Sequence, residues 1–259
     1  MLSTMRSKTM AAIGLSAVVV VGIVVAANAS RQGAGLGGAD QDGRSVPAAQ
    51  EPDFRSANFD RPVRNPYFPL KPGTVFRLRG TDEGERFREI VRVTPKKKLI
   101  QGVRATVVKD VVRRVDGTLA EKTHDWYAAD ARGNIWYLGE ATASYDEQGN
   151  IDSYEGSWQA GKQGAVAGII MPAHPRPTDA FRQEFYRGHA EDQAWLVQRG
   201  FKTKVPYGTV KRSLRSFEWS RLEPHVISMK IYGPGLGIVK ERDVSGGSEV
   251  LTLVSVRHR

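Results

Sequence analysis

From residue 74 onward the chain alternates apolar and polar side chains at every second position, and a period of two dictates extended backbone with one buried face. In 74–79, Phe76 and Leu78 fall on one face, with Val75, Arg77 and Arg79 on the other. In 103–115 the odd positions carry Val103, Ala105, Val107, Val111 and Val115, opposite Arg104, Thr106, Asp110 and Arg114. His225, Ile227, Met229 and Ile231 oppose Val226, Ser228, Lys230 and Tyr232, and Val250, Val254 and Val256 continue the rhythm toward the C-terminus. One buried and one wetter face is the habit of antiparallel sheets.

The connections agree. Asp130-Ala131-Arg132-Gly133-Asn134-Ile135 and Asp146-Glu147-Gln148-Gly149-Asn150-Ile151 share the form D-x-x-G-N-I. The Asp starts a type I turn and the Gly takes the left-handed position that closes a bulged hairpin. Asp82-Glu83-Gly84, Asp116-Gly117 and Ser245-Gly246-Gly247 mark three further turns. The fold class is therefore mainly β, with nine to eleven strands between 74 and 257. One large twisted antiparallel sheet, curved into a half-barrel and carrying at most one or two short helices, is the leading architecture; a β-sandwich is the alternative. Two stretches resist the rhythm. Residues 159–178 are too rich in Gly and Pro for regular structure and too apolar for a solvated loop. Residues 178–187 read equally as a helix capped by Thr178, with Phe181 and Phe185 one turn apart, or as a strand.

The N-terminus sets the address. Arg6 and Lys8 precede an apolar run from Ala11 to Ala27, and Ala27-Asn28-Ala29 offers the small residues of a signal-peptidase site. Residues 1–29 read as a signal peptide, which places the protein outside the cytoplasm, secreted or in the cell envelope. The alternative is an uncleaved membrane anchor, since 17 residues is the lower edge of a bilayer span. Residues 30–53 have little to bury and read as a disordered tether; one β-rich domain occupies 54–259. Prolines at 66, 69 and 72 forbid a helix at its threshold, and Tyr67, Phe68 and Leu70 are expected to cover an edge or end of the core.

Charge and cysteine count bound the function. The net charge of +10 falls to +8 when Arg6 and Lys8 leave with the signal peptide, so an anionic cell-wall polymer or anionic lipid heads are candidate partners, and nucleic acid is the weakest one for an exported chain. Without cysteine there is no disulfide scaffold, no thiol nucleophile and no thiolate metal site. Neither G-x-S-x-G nor H-E-x-x-H occurs. Gly233, Gly235 and Gly237 lack a phosphate-loop Lys-Ser/Thr and read as a strand-to-strand turn. Lys96-Lys97-Lys98, following Pro95, reads as a solvated turn.

Candidate sites remain few. Trp158, Ile169, Ile170 and Met171 border or lie in the apolar Gly/Pro-rich stretch and are candidate ligand contacts, with Trp158 the tryptophan expected to be most exposed. Trp126 and Trp136 flank the first D-x-x-G-N hairpin and suggest a cross-strand aromatic pair. His174, His189, Glu191 and Asp192 form a candidate divalent-metal set, because His189 and Glu191 share a face of a strand and His174 could supply a third ligand. No catalytic residue and no other cofactor is indicated.

Five segments together carry a resemblance: NPYFPLKPG at 65–73, WYAADARGNIWYLGE at 126–140, GIIMPAHP at 168–175, HAED at 189–192 and YGPGLGIVKE at 232–241. They resemble a family of exported, β-rich bacterial proteins of unknown function, frequent in actinobacteria. The resemblance implies a secreted β-domain with no assigned chemistry; the family usually has an acidic residue where this chain has His189. More loosely, the Y-x-P-G-x-G-x-V-K element is similar to those of periplasmic half-barrel domains of the lipoprotein-carrier type, whose concave apolar face holds acyl chains. The expected function is an envelope protein that binds an apolar or amphiphilic ligand without catalysis. A metal-binding domain or metal-dependent hydrolase, and a structural or partner-binding surface module, are the alternatives.

Overall fold

The two-residue rhythm is realised as strands almost without interruption. A computed structural model describes residues 53–258; the apolar N-terminal run, its Ala27-Asn28-Ala29 site and the tether up to residue 52 lie outside the described residues. The strands are β1 (Thr74–Asp82), β2 (Glu85–Ile100), β3 (Val103–Arg114), β4 (Leu119–Ala129), β5 (Ile135–Tyr145), β6 (Ile151–Ser153), β7 (Trp158–Gln159), β8 (Val166–Met171), β9 (Ala180–Arg182), β10 (Glu184–Phe185), β11 (Asp192–Val205), β12 (Gly208–Ser220), β13 (Ile227–Gly233), β14 (Gly237–Ser245) and β15 (Val250–His258). Among the described residues the helical content is a single 3-10 turn, Phe54–Ser56.

All the pairings are antiparallel, and the order across the sheet is β10-β8-β5-β4-β3-β2-β1-β15-β14-β13-β12-β11-β9, with β6 and β7 adding to β5. Its two ends nearly meet. β9 pairs with β11 and β10 pairs with β8, and only Gln183 separates β9 from β10. The Gln183 N–H donates to the Asp192 carbonyl at 2.8 Å. One extended segment thus changes partner and draws the curved sheet toward a closed barrel, which blunts the edges an open sheet would expose. The undecided stretch 178–187 therefore carries two short strands, Ala180–Arg182 and Glu184–Phe185, and no helix. Phe181 is buried, and Thr178, at φ 80, is no helix cap.

Both D-x-x-G-N-I turns form as the sequence requires. Gly133 and Gly149 sit at φ 94 and φ 84, in the left-handed region. The Asp130 carboxylate accepts from the backbone N–H of Arg132 and Asn134, the Asn134 side chain and the Trp136 indole, at 2.8–3.0 Å. Tyr232-Gly233-Pro234-Gly235-Leu236-Gly237 is the β13–β14 hairpin. Three local readings are corrected. Lys96-Lys97-Lys98 lies inside β2, and Pro95 is accommodated where the register with β3 shifts between Val93 and Lys97. The aromatic pair across β4 and β5 is Tyr127–Tyr137, stacked at 4.8 Å. Trp126 instead lies under the Lys98 ammonium, and Trp136 packs edge-on against Phe54 and Phe59.

The phase of the alternation also needs correcting in two strands. After Ala105 the buried positions of β3 are Thr106, Val108, Asp110 and Val112, while Val107 and Val111 are only half-buried. In β15 Leu251 and Leu253 are buried, and Val250 and Val254 are exposed. On β13 both faces are buried, so Ser228, Lys230 and Tyr232 are inside as fully as Met229 and Ile231. Side chains that periodicity assigned to water face the protein interior.

The proline-rich arm, 57–72, crosses one end of the barrel as a strap, as Tyr67, Phe68 and Leu70 foretold. The Ala131 N–H donates to the Asn58 carbonyl and the Val63 N–H to the Asp130 carbonyl, at 2.7 and 3.0 Å, tying the arm to the β4–β5 turn. On the far side the Gly235 N–H donates to the Pro66 carbonyl at 2.7 Å and the Tyr67 hydroxyl donates to the Arg212 carbonyl at 2.9 Å. Asn65, buried, is the knot: its side-chain amide donates to the Gly133 and Pro172 carbonyls and its oxygen accepts from the Tyr67 N–H. Phe68 meets Tyr127 edge-on at 4.9 Å, closing the strap onto the interior.

Candidate functional site

The interior of a basic protein turns out to be acidic. Buried carboxylates come from eight strands: Glu89, Asp110, Glu121, Asp125, Glu140, Glu184, Asp192, Glu218 and Glu241. Glu249, at the threshold of β15, joins them. Lys230 is the buried cation among the described residues. Periodicity missed these acids because it read charge as exposure. A signal was nonetheless present. In Glu121-Lys122-Thr123-His124-Asp125 acids and bases occupy opposite parities, and Arg86, Arg88 and Arg92 alternate with Phe87, Glu89 and Val93. A solvated strand has no reason to sort its charges in this way, whereas a barrel with an acidic inside does.

Burial largely decides the ionisation of these groups, because a low-dielectric interior disfavours charge. Burial, reinforced by Asp110 and Asp125 and opposed by the Thr123 hydroxyl, pushes Glu121 up to about 8. Burial and Asp110 push Asp125 up to about 8, against hydrogen bonds from Tyr137 and Tyr127. Glu89 is raised well above its ordinary value by burial and then by Asp110, with which it shares a hydrogen bond. Lys230 stands against this trend. Burial works to neutralise it, but Glu218 at 3.1 Å and Glu241 at 3.5 Å hold it above the usual lysine range. One ammonium cannot keep two carboxylates ionised equally. Glu218, which also accepts from Ser216, Gln183 and Tyr232, is held low, whereas burial raises Glu241 to about 8.

A cavity of about 90 Å³ sits in this lumen just beneath the strap. Phe68, Pro69 and Leu70 roof it; Phe76, Leu78, Val93, Val108, Ile170 and Leu251 wall it; Glu89, Asp110 and Asp125 line its acidic side. On the outer side the same Phe68-Pro69-Leu70 wall borders a groove of about 980 Å³, running between the strap, the β2–β3 hairpin and the end of β15. Small-molecule sites commonly occupy about 300–1,000 Å³, so the groove has room for a ligand. The inner cavity is worth about three water molecules and takes one small group. The groove joins apolar Val63, Val103, Ala129 and Ile135 to the cations Arg64, Lys71, Lys97 and Arg104, with Asp60 as its acid.

Of the sequence-derived contacts, Ile170 lines the cavity. Trp158 is buried at 5% exposure, edge-on to Tyr137, and the half-buried Ile169 and the buried Met171 pack in the core around β8. The 159–178 stretch is built into the wall through β7 and β8 and the buried Ala160 and Ala165, while the strap roofs the cavity. Gly139, at φ 126, makes this possible: a Cβ there would lie 2.3 Å from the Trp158 carbonyl oxygen, so only glycine lets β7 approach β5. Of the metal candidates, His174 and His189 are exposed, and His189 stacks on Tyr186 at 4.2 Å. Glu191 accepts from the Gly188 N–H at 2.9 Å and faces Arg221 at 3.6 Å; Asp192 is buried in the barrel, raised by that burial to about 7. Among the described residues, no three His, Asp or Glu side chains form a metal-holding group.

No family model and no curated protein matches the chain, so the likeness to an actinobacterial exported family rests on the five quoted segments alone. Among solved structures, an exported protein with YmcC-like fold from Bacteroides fragilis aligns over 74% of this chain and 98% of its own, at 11% identity and a TM-score of 0.45. A lipoprotein from Parabacteroides distasonis aligns over 75% of this chain and 100% of its own, at 13% identity and a TM-score of 0.42. Scores of this size establish neither a common fold nor a common chemistry.

Proposed function

We propose that the protein works outside the cytoplasm as a binder of an apolar or amphiphilic molecule, held in the groove on the outer side of the proline strap with its apolar end against the wall that faces the lumen. The observation that carries this reading is the pair of adjacent spaces. A groove of ligand size and a roofed apolar cavity share one wall, Phe68-Pro69-Leu70. Half-buried strap side chains give the ligand apolar surface to cover, at about 25 cal/mol per Å² removed from water. The strap holds its place without the ligand because Asn65 fixes it through three hydrogen bonds. The groove is therefore largely preformed, which lowers the ordering cost of binding.

The test uses the mature protein, stripped of co-purifying molecules by organic extraction and titrated with a fluorescent alkyl probe. Saturable binding is expected, together with an amphiphile in the extract. Leu70→Glu places a carboxylate at a half-buried position in the shared wall and is expected to weaken the probe at least about tenfold, the loss of one well-buried apolar contact. An empty extract together with a probe that never saturates on the wild-type protein refutes the proposal.

A further inference from the structure

Resting on that reading, we propose that the groove selects amphiphiles with an anionic head, a phosphate or carboxylate, held at its basic rim by Lys71, Lys97 and Arg104 while the apolar end faces the lumen. Three observations carry the inference. Arg64, Lys71, Lys97 and Arg104 all border the groove, and none of them is ion-paired among the described residues. Four unpaired cations beside one carboxylate leave a concave surface of strongly positive potential, which gathers anions.

Lys97 and Arg104 also stand close enough to disfavour each other. Partial burial first, and then the Arg104 guanidinium, hold the Lys97 ammonium below its ordinary value. Lys97 is kept there by donating to the Thr106 hydroxyl at 2.7 Å. An oxyanion set between the two cations would relieve that repulsion, and it would accept charge-assisted hydrogen bonds, which are stronger than neutral ones.

The third observation fixes the ligand's direction. Beyond the strap the cavity meets the buried acids Glu89, Asp110 and Asp125. An anionic head would lose its water in that buried wall without meeting a cation, so head outward at the basic rim and tail inward is the favoured arrangement. A free anion would use the rim but gain nothing from the apolar wall, and a cationic amphiphile would meet the rim's own charge.

The experiment compares dodecyl phosphate, dodecyl maltoside, dodecylammonium and inorganic phosphate on the stripped full-length mature protein, by calorimetric titration. Dodecyl phosphate is expected to bind at least about tenfold tighter than the neutral and cationic probes, and inorganic phosphate far more weakly. The exposed double variant Lys71→Gln/Arg104→Gln is expected to lose that tenfold preference for dodecyl phosphate over dodecyl maltoside, and raised salt should mimic it. Equal binding of all three alkyl probes overturns the headgroup inference and leaves the binding function standing. Inorganic phosphate as tight as dodecyl phosphate also overturns it, since the rim would then be a plain anion site. Failure of every alkyl probe overturns the binding function itself.

Discussion

Replacing Glu121 by Gln tests whether the acidic lumen is held in its neutral form. Glu121 lies on β4, 3% exposed, accepting from the Thr123 hydroxyl at 3.1 Å, with Asp110 and Asp125 as acidic neighbours. Its folded-state value is about 8 against an ordinary 4.5. The sign follows from proton counting. Below pH 4.5 both folded and unfolded chains carry the proton; between 4.5 and 8 only the folded chain does, so this group's stabilising contribution drains away as pH rises. Each pH unit in that window changes the folding equilibrium about tenfold per group, and the whole window amounts to about 5 kcal/mol, comparable with the entire stability of many domains. Glutamine keeps the acceptor for Thr123, and its amide faces Ser144, the residue opposite on β5 whose hydroxyl lacks a partner. Urea unfolding followed by tryptophan fluorescence at a series of pH values reads the effect. Near pH 4.5 variant and wild type should agree within about 1 kcal/mol, a hydrogen bond's worth. Toward pH 8 the variant should become the more stable by several kcal/mol. Two parallel curves would refute the idea that burial keeps this carboxyl protonated.

Two contrasts extend the same reasoning. Asp130→Ala leaves four donors without their buried carboxylate acceptor and should lower the unfolding midpoint severely, whereas Asp146→Ala in the matching exposed turn should lower it only slightly; equal losses in thermal melts would show that turn chemistry alone, without burial, sets the cost. Lys230→Met leaves Glu218 and Glu241 without their cation, and should destabilise by about 3–5 kcal/mol at neutral pH, less in acid where both carboxyls take up protons; a loss independent of pH, measured by denaturant titration, would count against the ion-pair account.

How much of this the sequence discloses depends on whether a feature is local. The D-x-x-G-N-I turns, the strap's extended prolines and the existence of strands are local matters, written in residue types that permit one backbone. The phase of β3 and β15 is not local. Asp110 was assigned to water because alternation equates polarity with exposure, but a nearly closed barrel has an inside for every strand, and that inside tolerates carboxyls that stay neutral or meet Lys230. Barrel closure through 180–185 was equally hidden, since three residues followed by two leave no periodic trace. The groove was legible only in part. Phe68 and Leu70 were expected at an end of the core, yet Lys97 and Arg104 reach its rim because β2 and β3 run on past the strap, a fact of strand length. Trp158 looked exposed from its Gly-rich surroundings, although Gly139, across on β5, lets β7 pack tightly and buries it.

The change of partner at Gln183 leaves the barrel with a weakest line. The long ladders, such as β2 with β3 and β11 with β12, resist opening cooperatively, but β9 is three residues and β10 two. Fluctuations that cost least free energy concentrate where few hydrogen bonds must break. A sideways parting there would bring Glu184 and Asp192 into water, inviting both to ionise. Alkali would then widen the parting and acid would reseal it, a hinge for solvent where the two ends of the strand order meet.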